Sequence, residues 1–455
     1  MAAPLLALLS LALVACGTSG DRATTSSATS ESGGDELTWW RDAEPIVRDK
    51  CGGCHVDGGI APFALDTHAA FVAFAPALAP AIESGTMPPW SPDPACNDYE
   101  DARSLTLAQE ETLLAYLGGE MPEGDPADAP PADDQPVRVL EPDVVLEMPE
   151  AYAPSSAVED DYRCFLVPWP EDLSEPRFVT GFEIHPGERR IAHHVIVYAV
   201  DSANLGAYVA RDAADPGPGY TCFGGPGPTD GTARWVGGWV PGMVPFFAPD
   251  GVGQQIDPGT TLVMQVHYHP IGVELADRSA VALELATSVT RRAEILPLAD
   301  IAWLVGNGAM LIPAGEASVT HAAAVTHENP LVKNAVLDRL GLTTDTDLEI
   351  INVGAHMHLF GTRVRVEVRD PGGADPECVL DIPRWDFNWQ RGYDLVRPVT
   401  FRAGRELGVQ CWWDNSAGNQ PIVDGKRLEP ADLDWGEGTL DEMCLGVLYV
   451  TRAEP

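Results

Sequence analysis

Residues 349–368 read EIINVGAHMHLFGTRVRVEV. Apolar and β-branched residues alternate with polar ones on both sides of Gly361, a period of two that belongs to strands and not to a helix. In a strand, residues i and i+2 share a face, so His356 and His358 are expected to converge while Met357 points away. RIAHHVIVYAV at 190–200, TTLVMQVHYHP at 260–270 and MCLGVLYV at 443–450 have the same texture and lie between Gly, Pro and Asp turns. They bring two more histidine groups, His193-His194 and His267-Tyr268-His269, and a late methionine, Met443. Neutral imidazoles suit copper, a thioether favours Cu(I), and no anionic ligand is present to lock the metal as Cu(II). Adjacent His193 and His194 point to opposite faces of an ideal strand, so both reach one ion only at a bulge or a strand end.

The chain has 455 residues, 45% of them hydrophobic, which is too long for one core. Its formal net charge is −40 with no basic stretch, which argues against a nucleic-acid partner. Many short strands from about residue 140 onward argue for antiparallel sandwiches. About 315 residues is long for a single sandwich, so the expected units are 140–288 and 289–455. Residues 322–342 read as a helical or loop insertion.

The first residues, MAAPLLALLSLALVA, form an apolar run too short to span a bilayer and end in small residues, like an export signal. Leu13-Val14-Ala15-Cys16 resembles the bacterial lipobox, which implies removal of 1–15 and lipidation of Cys16. The expected localisation is exported and lipid-anchored, periplasmic or at the outer membrane and cell surface. Residues 16–36 read as a Ser, Thr and Gly-rich tether reaching at most about 65 Å at ~3.3 Å per residue.

Residues 37–122 differ in kind. Trp39–Lys50 and Leu107–Gly118 have helical apolar spacing, and Thr106 through Glu110 gives a capped start. Within this stretch Cys51-Gly52-Gly53-Cys54-His55 is C-x-x-C-H, where two thiols form thioethers to a heme and the histidine is an axial ligand. A chance match and a redox C-x-x-C are the competing readings. The Met87-Pro88 turn resembles the one supplying the sixth ligand in class I c-type cytochromes, with Met121 as the alternative at the edge of a Pro and Asp-rich linker, 123–139. A Met/His pair suits electron transfer. With Cys16, Cys51 and Cys54 assigned, six of the nine cysteines remain, and disulfides are expected. Cys411 with Cys444 is the expected pair, since both flank the last candidate ligand.

HHVIVY, LVMQVHY, IPAGE, GAHMHLFGTRVRV and DEMCLGVLY, in this order, resemble the copper type II, ascorbate-dependent monooxygenases, the family of peptidylglycine hydroxylating and dopamine β-monooxygenases. The likeness covers about residues 140–455. It implies two all-β jelly-roll-like antiparallel sandwich domains with two copper ions facing across a solvent cleft, following a small all-α cytochrome c domain with one covalently bound heme c. By that resemblance His193, His194 and His267 match an electron-transfer copper, and His356, His358 and Met443 an oxygen-binding copper. The resemblance also supports the Cys411–Cys444 pair. It further implies O2, an unidentified small organic substrate, and an electron donor that is an ascorbate-like reductant or a redox protein.

Where the peptide-amidating members have an Arg, an Asn and a Tyr, this chain has Gly354, Leu445 and Val447, which disfavours peptide amidation. His269 has no counterpart and reads as a spare imidazole. The rival readings are a non-enzymatic heme and copper lipoprotein, and a zinc hydrolase. The latter is weakened by the lack of HExxH and by the thioether.

Overall fold

The computed structural model describes residues 36–454, apart from 58–60, 90–91, 101, 132–137, 159, 224, 229–231, 241–242, 306–307, 388 and 424–425. The expected leader, tether and Cys16 lie outside the described residues. Helices α1 (Glu44–Lys50), α2 (His68–Glu83) and α3 (Leu107–Leu117) come first. Each has a local cause. Thr106 caps α3 in a reciprocal box that closes on Gln109, and Leu113 and Tyr116 are its buried face. Thr67 caps α2, whose buried Phe71, Ala75, Leu78 and Ile82 form one stripe despite Pro76 and Pro80.

The rest is mostly strand: β1 (Val144–Glu147), β2 (Asp161–Pro168), β3 (Arg177–His185), β4 (Ala192–Val200), β5 (Tyr220–Thr221), β6 (Ala233–Trp239), β7 (Phe246–Phe247), β8 (Val252–Ile256), β9 (Thr261–Tyr268) and β10 (Ala280–Ala286). They continue as β11 (Arg291–Leu298), β12 (Val319–Val325), β13 (Leu348–His356), β14 (Gly361–Asp370), β15 (Ala374–Ile382), β16 (Gly392–Phe401), β17 (Glu406–Trp413), β18 (Ile422–Val423), β19 (Lys426–Arg427) and β20 (Leu445–Arg452). A five-stranded sheet, β5-β2-β9-β4-β6, packs on one end of a nine-stranded sheet, β1-β10-β3-β8-β11-β20-β13-β16 with β7 on β3. A four-stranded sheet, β12-β17-β14-β15, packs on the other end.

Phe165, Val195, Leu262 and Met264 meet Phe182, Ile184 and Val281 in the first stack, and Val364, Val366 and Val409 meet Leu296, Ile350 and Leu448 in the second. Each such side chain contributes roughly 1.5–3 kcal/mol by leaving water. Strand β9 is buried at every position, which fixes its register and with it the placement of His267.

Two features correct the expected fold. The described residues are mostly β-sheet with 17% of them helical, and no separate all-α cytochrome domain stands at their front. The helices do share a small core of Trp39, Phe71, Leu113 and Tyr116. However, the chain between α2 and α3 is built into the β body: Cys96 is disulfide-bonded to Cys378, Asp93 N donates to Asp381 O at 2.7 Å, and Glu100 N to Asp394 O at 2.8 Å. Tyr99, 6% exposed, belongs to the core of the second stack. Helical spacing reports only near neighbours, so it could not reveal these pairings with strands almost 300 residues away. Nor are the two stacks independent sandwiches, because the parallel pair β8–β11 runs one sheet through both. Residues 319–325, at the start of the expected insertion, are strand β12, and the helical turns follow at 330–340.

Candidate metal centre

Strands β4 and β9 build the first histidine cluster. His194 and His267 are cross-strand partners, and the register shifts between Ala192 and His194. That bulge turns His193 towards the same side, as an adjacent pair requires. His267 Nδ1 lies 3.3 Å from His194 Nδ1, and the ligand atoms of His193, His194 and His267 all fall within 4.8 Å of one another. The other nitrogen of His267 is committed, because Nε2 donates to Asp160 Oδ1 at 2.8 Å. Nδ1 therefore carries a bare lone pair that faces His194, and His193 Nδ1 is buried without a hydrogen-bond partner. His194 Nδ1 can donate to that lone pair or, as the other tautomer, turn its own lone pair to the same point, and three imidazoles gathered this closely fit a metal ion held by neutral nitrogens.

The second cluster repeats this logic with the other ring nitrogens. His356 ends β13 and His358 follows it, with Met357 turned into the core. His356 Nδ1 bonds Gln390 Oε1, and His358 Nδ1 donates to Asp441 O at 3.1 Å, which leaves both Nε2 atoms bare and 3.1 Å apart. Met443 is 6% exposed and lies two residues before Leu445, the cross-strand partner of His356. Cys444, beside it, is disulfide-bonded to Cys411, which ties the methionine segment to β17. Glu442 is fully buried and accepts from the backbone N–H of His358, Phe360 and Met443 and from the Trp413 indole. One carboxylate thus holds the His358 and Met443 backbones together, while burial pushes its pKa up to about 7 against those four donors.

The two clusters adjoin instead of facing across an open cleft: the rings of His194 and His356 are 6.5 Å apart. Phe387 fills the angle between them, stacked on His193 at 5.3 Å and edge-on to His358 at 6.0 Å. Asp160 joins the two stacks by accepting from Thr439 Oγ1 at 3.0 Å, and Tyr162, stacked on His267, donates to Glu437 O at 2.7 Å. His269 stands outside the cluster as an exposed second partner of Asp160. Burial opposes the charge on Asp160, but bonds from His267, His269 and Thr439 outweigh it and hold the carboxyl below its usual range. Asp160→Asn, measured by copper titration, is expected to weaken metal binding at this cluster about 10–100-fold.

Burial, reinforced by neighbouring imidazoles, lowers the pKa of His193 to about 4, of His358 to about 3, and of His194 well below the ordinary value. His356 falls to about 4 from the same burial, against the Gln390 bond. All four are neutral and ready to ligate at pH 7. Between the ordinary value of 6.5 and about 4 the unfolded chain binds protons that the folded chain refuses, so stability falls as pH falls. Thermal melts of metal-free protein are expected to show a falling melting temperature through this window, and a flat profile would contradict the assignment.

The C-x-x-C-H segment is the turn after α1. Cys51 and Cys54 are free thiols, and burial pushes Cys51 up to about 11, with Cys54 and Asp49 adding to it, which is opposite to what a redox dithiol needs. His55 Nδ1 bonds Phe63 O at 3.0 Å, leaving Nε2 unused. Cys51, Cys54, His55 and Met87 line one apolar cavity, which Trp389 also borders. Met121 is not part of it; its carbonyl bonds His68 Nε2. Among the neighbouring tryptophans, Trp413 is core, Trp412 stacks under Arg363, and Trp385 Nε1 donates to His358 O at 3.2 Å.

Sequence reasoning did not find Asp160, Phe387, Gln390 or Glu442. Of these, only Glu442 carries a local signal, being next to Met443. Three disulfides, Cys96–Cys378, Cys164–Cys222 and Cys411–Cys444, mark an exported chain, and no helix among the described residues is long and apolar enough to cross a membrane.

No family model matches the chain. It is similar to DBH-like monooxygenase protein 2 of Mus musculus, 24% identical over 299 residues, 63% of this chain and 43% of that protein. A Homo sapiens protein with the same DBH-like monooxygenase protein 2 designation is 22% identical over 304 residues, 64% of this chain and 54% of its own. The chain thus spans about half the length of the curated relatives it matches. Among solved structures, the major capsid protein P2 from bacteriophage PM2 aligns at a TM-score of 0.27 and 7% identity, over 69% of this chain and 98% of that one, a likeness too low to carry an argument. The similarity that remains, at low identity, is to proteins named DBH-like monooxygenases.

Proposed function

We propose that this chain is a copper-dependent monooxygenase that hydroxylates a C–H bond of a small organic substrate with O2 and two electrons. The observation that supports this reading most is the pair of bare Nε2 atoms of His356 and His358, set beside the gathered imidazoles of His193, His194 and His267. Copper held at the two clusters would supply one-electron storage and oxygen activation, with one oxygen atom entering the product as hydroxyl and the other leaving as water. His193, His194 and His267 would hold one ion, and His356, His358 and Met443 the other, whose thioether favours Cu(I). The protein's own part is orientation. Asp160, Gln390 and the Asp441 carbonyl fix the ring tautomers, and Glu442 fixes the backbone beneath two of the ligands.

A hydrolytic zinc site is not favoured. Asp160 is spent on ligand rings and Glu442 on N–H donors, so neither faces the paired nitrogens as a base. The test is turnover under 18O2 with ascorbate against a panel of small aromatic and aliphatic compounds. Incorporation of one labelled oxygen into an organic product is expected. Redox-active copper with no labelled product would favour an electron-transfer or copper-binding protein.

Cys51, Cys54 and His55 are further proposed to carry one covalently attached heme. The free thiols, the unused His55 Nε2 and the apolar cavity with Met87 on its wall support this. Mass spectrometry of denatured protein matured with heme in the periplasm is the check: mass and absorbance that stay with the chain support attachment, and loss of both contradicts it.

A further inference from the structure

The connection between β15 and β16 touches everything that the proposed chemistry needs to join. At its start, the Arg384 guanidinium donates to Ser84 O at 2.6 Å and Gly85 O at 2.9 Å, gripping the turn that leads to Met87. Further on, Trp389 borders the cavity lined by Cys51, Cys54 and His55. The next residue, Gln390, bonds His356 Nδ1 through Oε1, and its Nε2 donates to Phe387 O at 2.8 Å. Phe387 lies flat on His193 and edge-on to His358. The flanking strands are fixed to the helical segment as well, β15 by Cys378–Cys96 and β16 by the Leu395–Tyr99 bridge. A surface connection that packs an indole, a phenyl ring and a buried amide in this sequence is held at both ends, and core packing alone does not require it to reach two imidazole clusters.

We propose that Trp389, Gln390 and Phe387 form the electron path from the Cys51/Cys54/His55 cavity to the imidazole clusters. Trp389 is its cavity-side terminus, Phe387 its contact with the His193 cluster, and Gln390 its contact with the His356 cluster. This rests on the reading that a heme is attached at Cys51 and Cys54. In each passage one electron moves: iron goes from ferrous to ferric, one Cu(II) becomes Cu(I), and no bond is made or broken. An external one-electron donor returns the iron to ferrous, and two passages deliver the two electrons that hydroxylation consumes. Trp389 and Phe387 carry the electron in this scheme and are not copper ligands.

The experiment is anaerobic stopped-flow absorbance on full-length protein loaded with Cu(II), following oxidation of the prereduced heme band in wild type, Trp389→Leu, Trp389→Phe and Phe387→Leu. Heme and copper contents are measured on the same samples. The expected result is intramolecular oxidation slowed on the order of tenfold or more in Trp389→Leu, with metal contents and direct reduction of copper by ascorbate unchanged, and with Trp389→Phe closer to wild type. Oxidation at the wild-type rate in Trp389→Leu and Phe387→Leu with heme present overturns the path alone. Wild-type protein with no covalent heme overturns the attachment reading and the path with it.

Discussion

Replacing His358 by Ala is expected to lower kcat/KM for hydroxylation by about a thousandfold or more and to remove one of two coppers, while the melting temperature of metal-free protein changes little. The second cluster depends on two Nε2 atoms 3.1 Å apart, and truncation leaves the His356 Nε2 without its imidazole partner. The fold is insulated from the loss because Glu442 holds residue 358 through its backbone N–H, which Ala keeps. Chemistry and stability should therefore separate in this variant. Copper content, melting curves and turnover measured together check it. Full turnover with one copper lost would show that the His356 and His358 site is not where oxygen reacts.

Glu442→Ala should do the reverse and damage both. Four N–H groups, from His358, Phe360, Met443 and the Trp413 indole, lose their acceptor in a buried place. A buried unpaired donor costs about 1–3 kcal/mol, and with some relaxation the total destabilisation should be on the order of 3–5 kcal/mol. Glu442→Gln should fall between, since its amide offers one acceptor oxygen and turns an N–H towards other donors. Denaturant melts measure the loss, and copper titration of whatever remains folded should show the second cluster weakened. A stability change within ~0.5 kcal/mol would mean that the carboxylate does not organise this segment.

The parts of the fold and site legible in the sequence are those with local causes. His356-Met357-His358 alternates on a strand, and that alternation places the two imidazoles together and the thioether of Met357 in the core. Thr106 announces the start of α3, although the box closes on Gln109 and not on Glu110. Helix α2 was hidden by Pro76 and Pro80, which punctuate its pattern without breaking its buried stripe. The residues that orient the imidazoles were illegible for a different reason. Asp160 reaches His267 from another strand's edge, and Gln390 reaches His356 from a loop. Their roles exist only once distant segments meet, and no spacing rule encodes that. The docking of Asp93–Glu100 on β15 and β16, which removes the separate all-α unit, failed to show for the same reason.

Elemental analysis of purified, dialysed protein tests the central claim most directly, because both clusters are read as copper sites from donor chemistry before any substrate is known. The expected result is about two copper atoms per chain, falling to about one in His358→Ala and, separately, to about one in His267→Ala. Zinc in place of copper, or copper that dialyses away from wild-type protein at neutral pH, would contradict the copper monooxygenase reading.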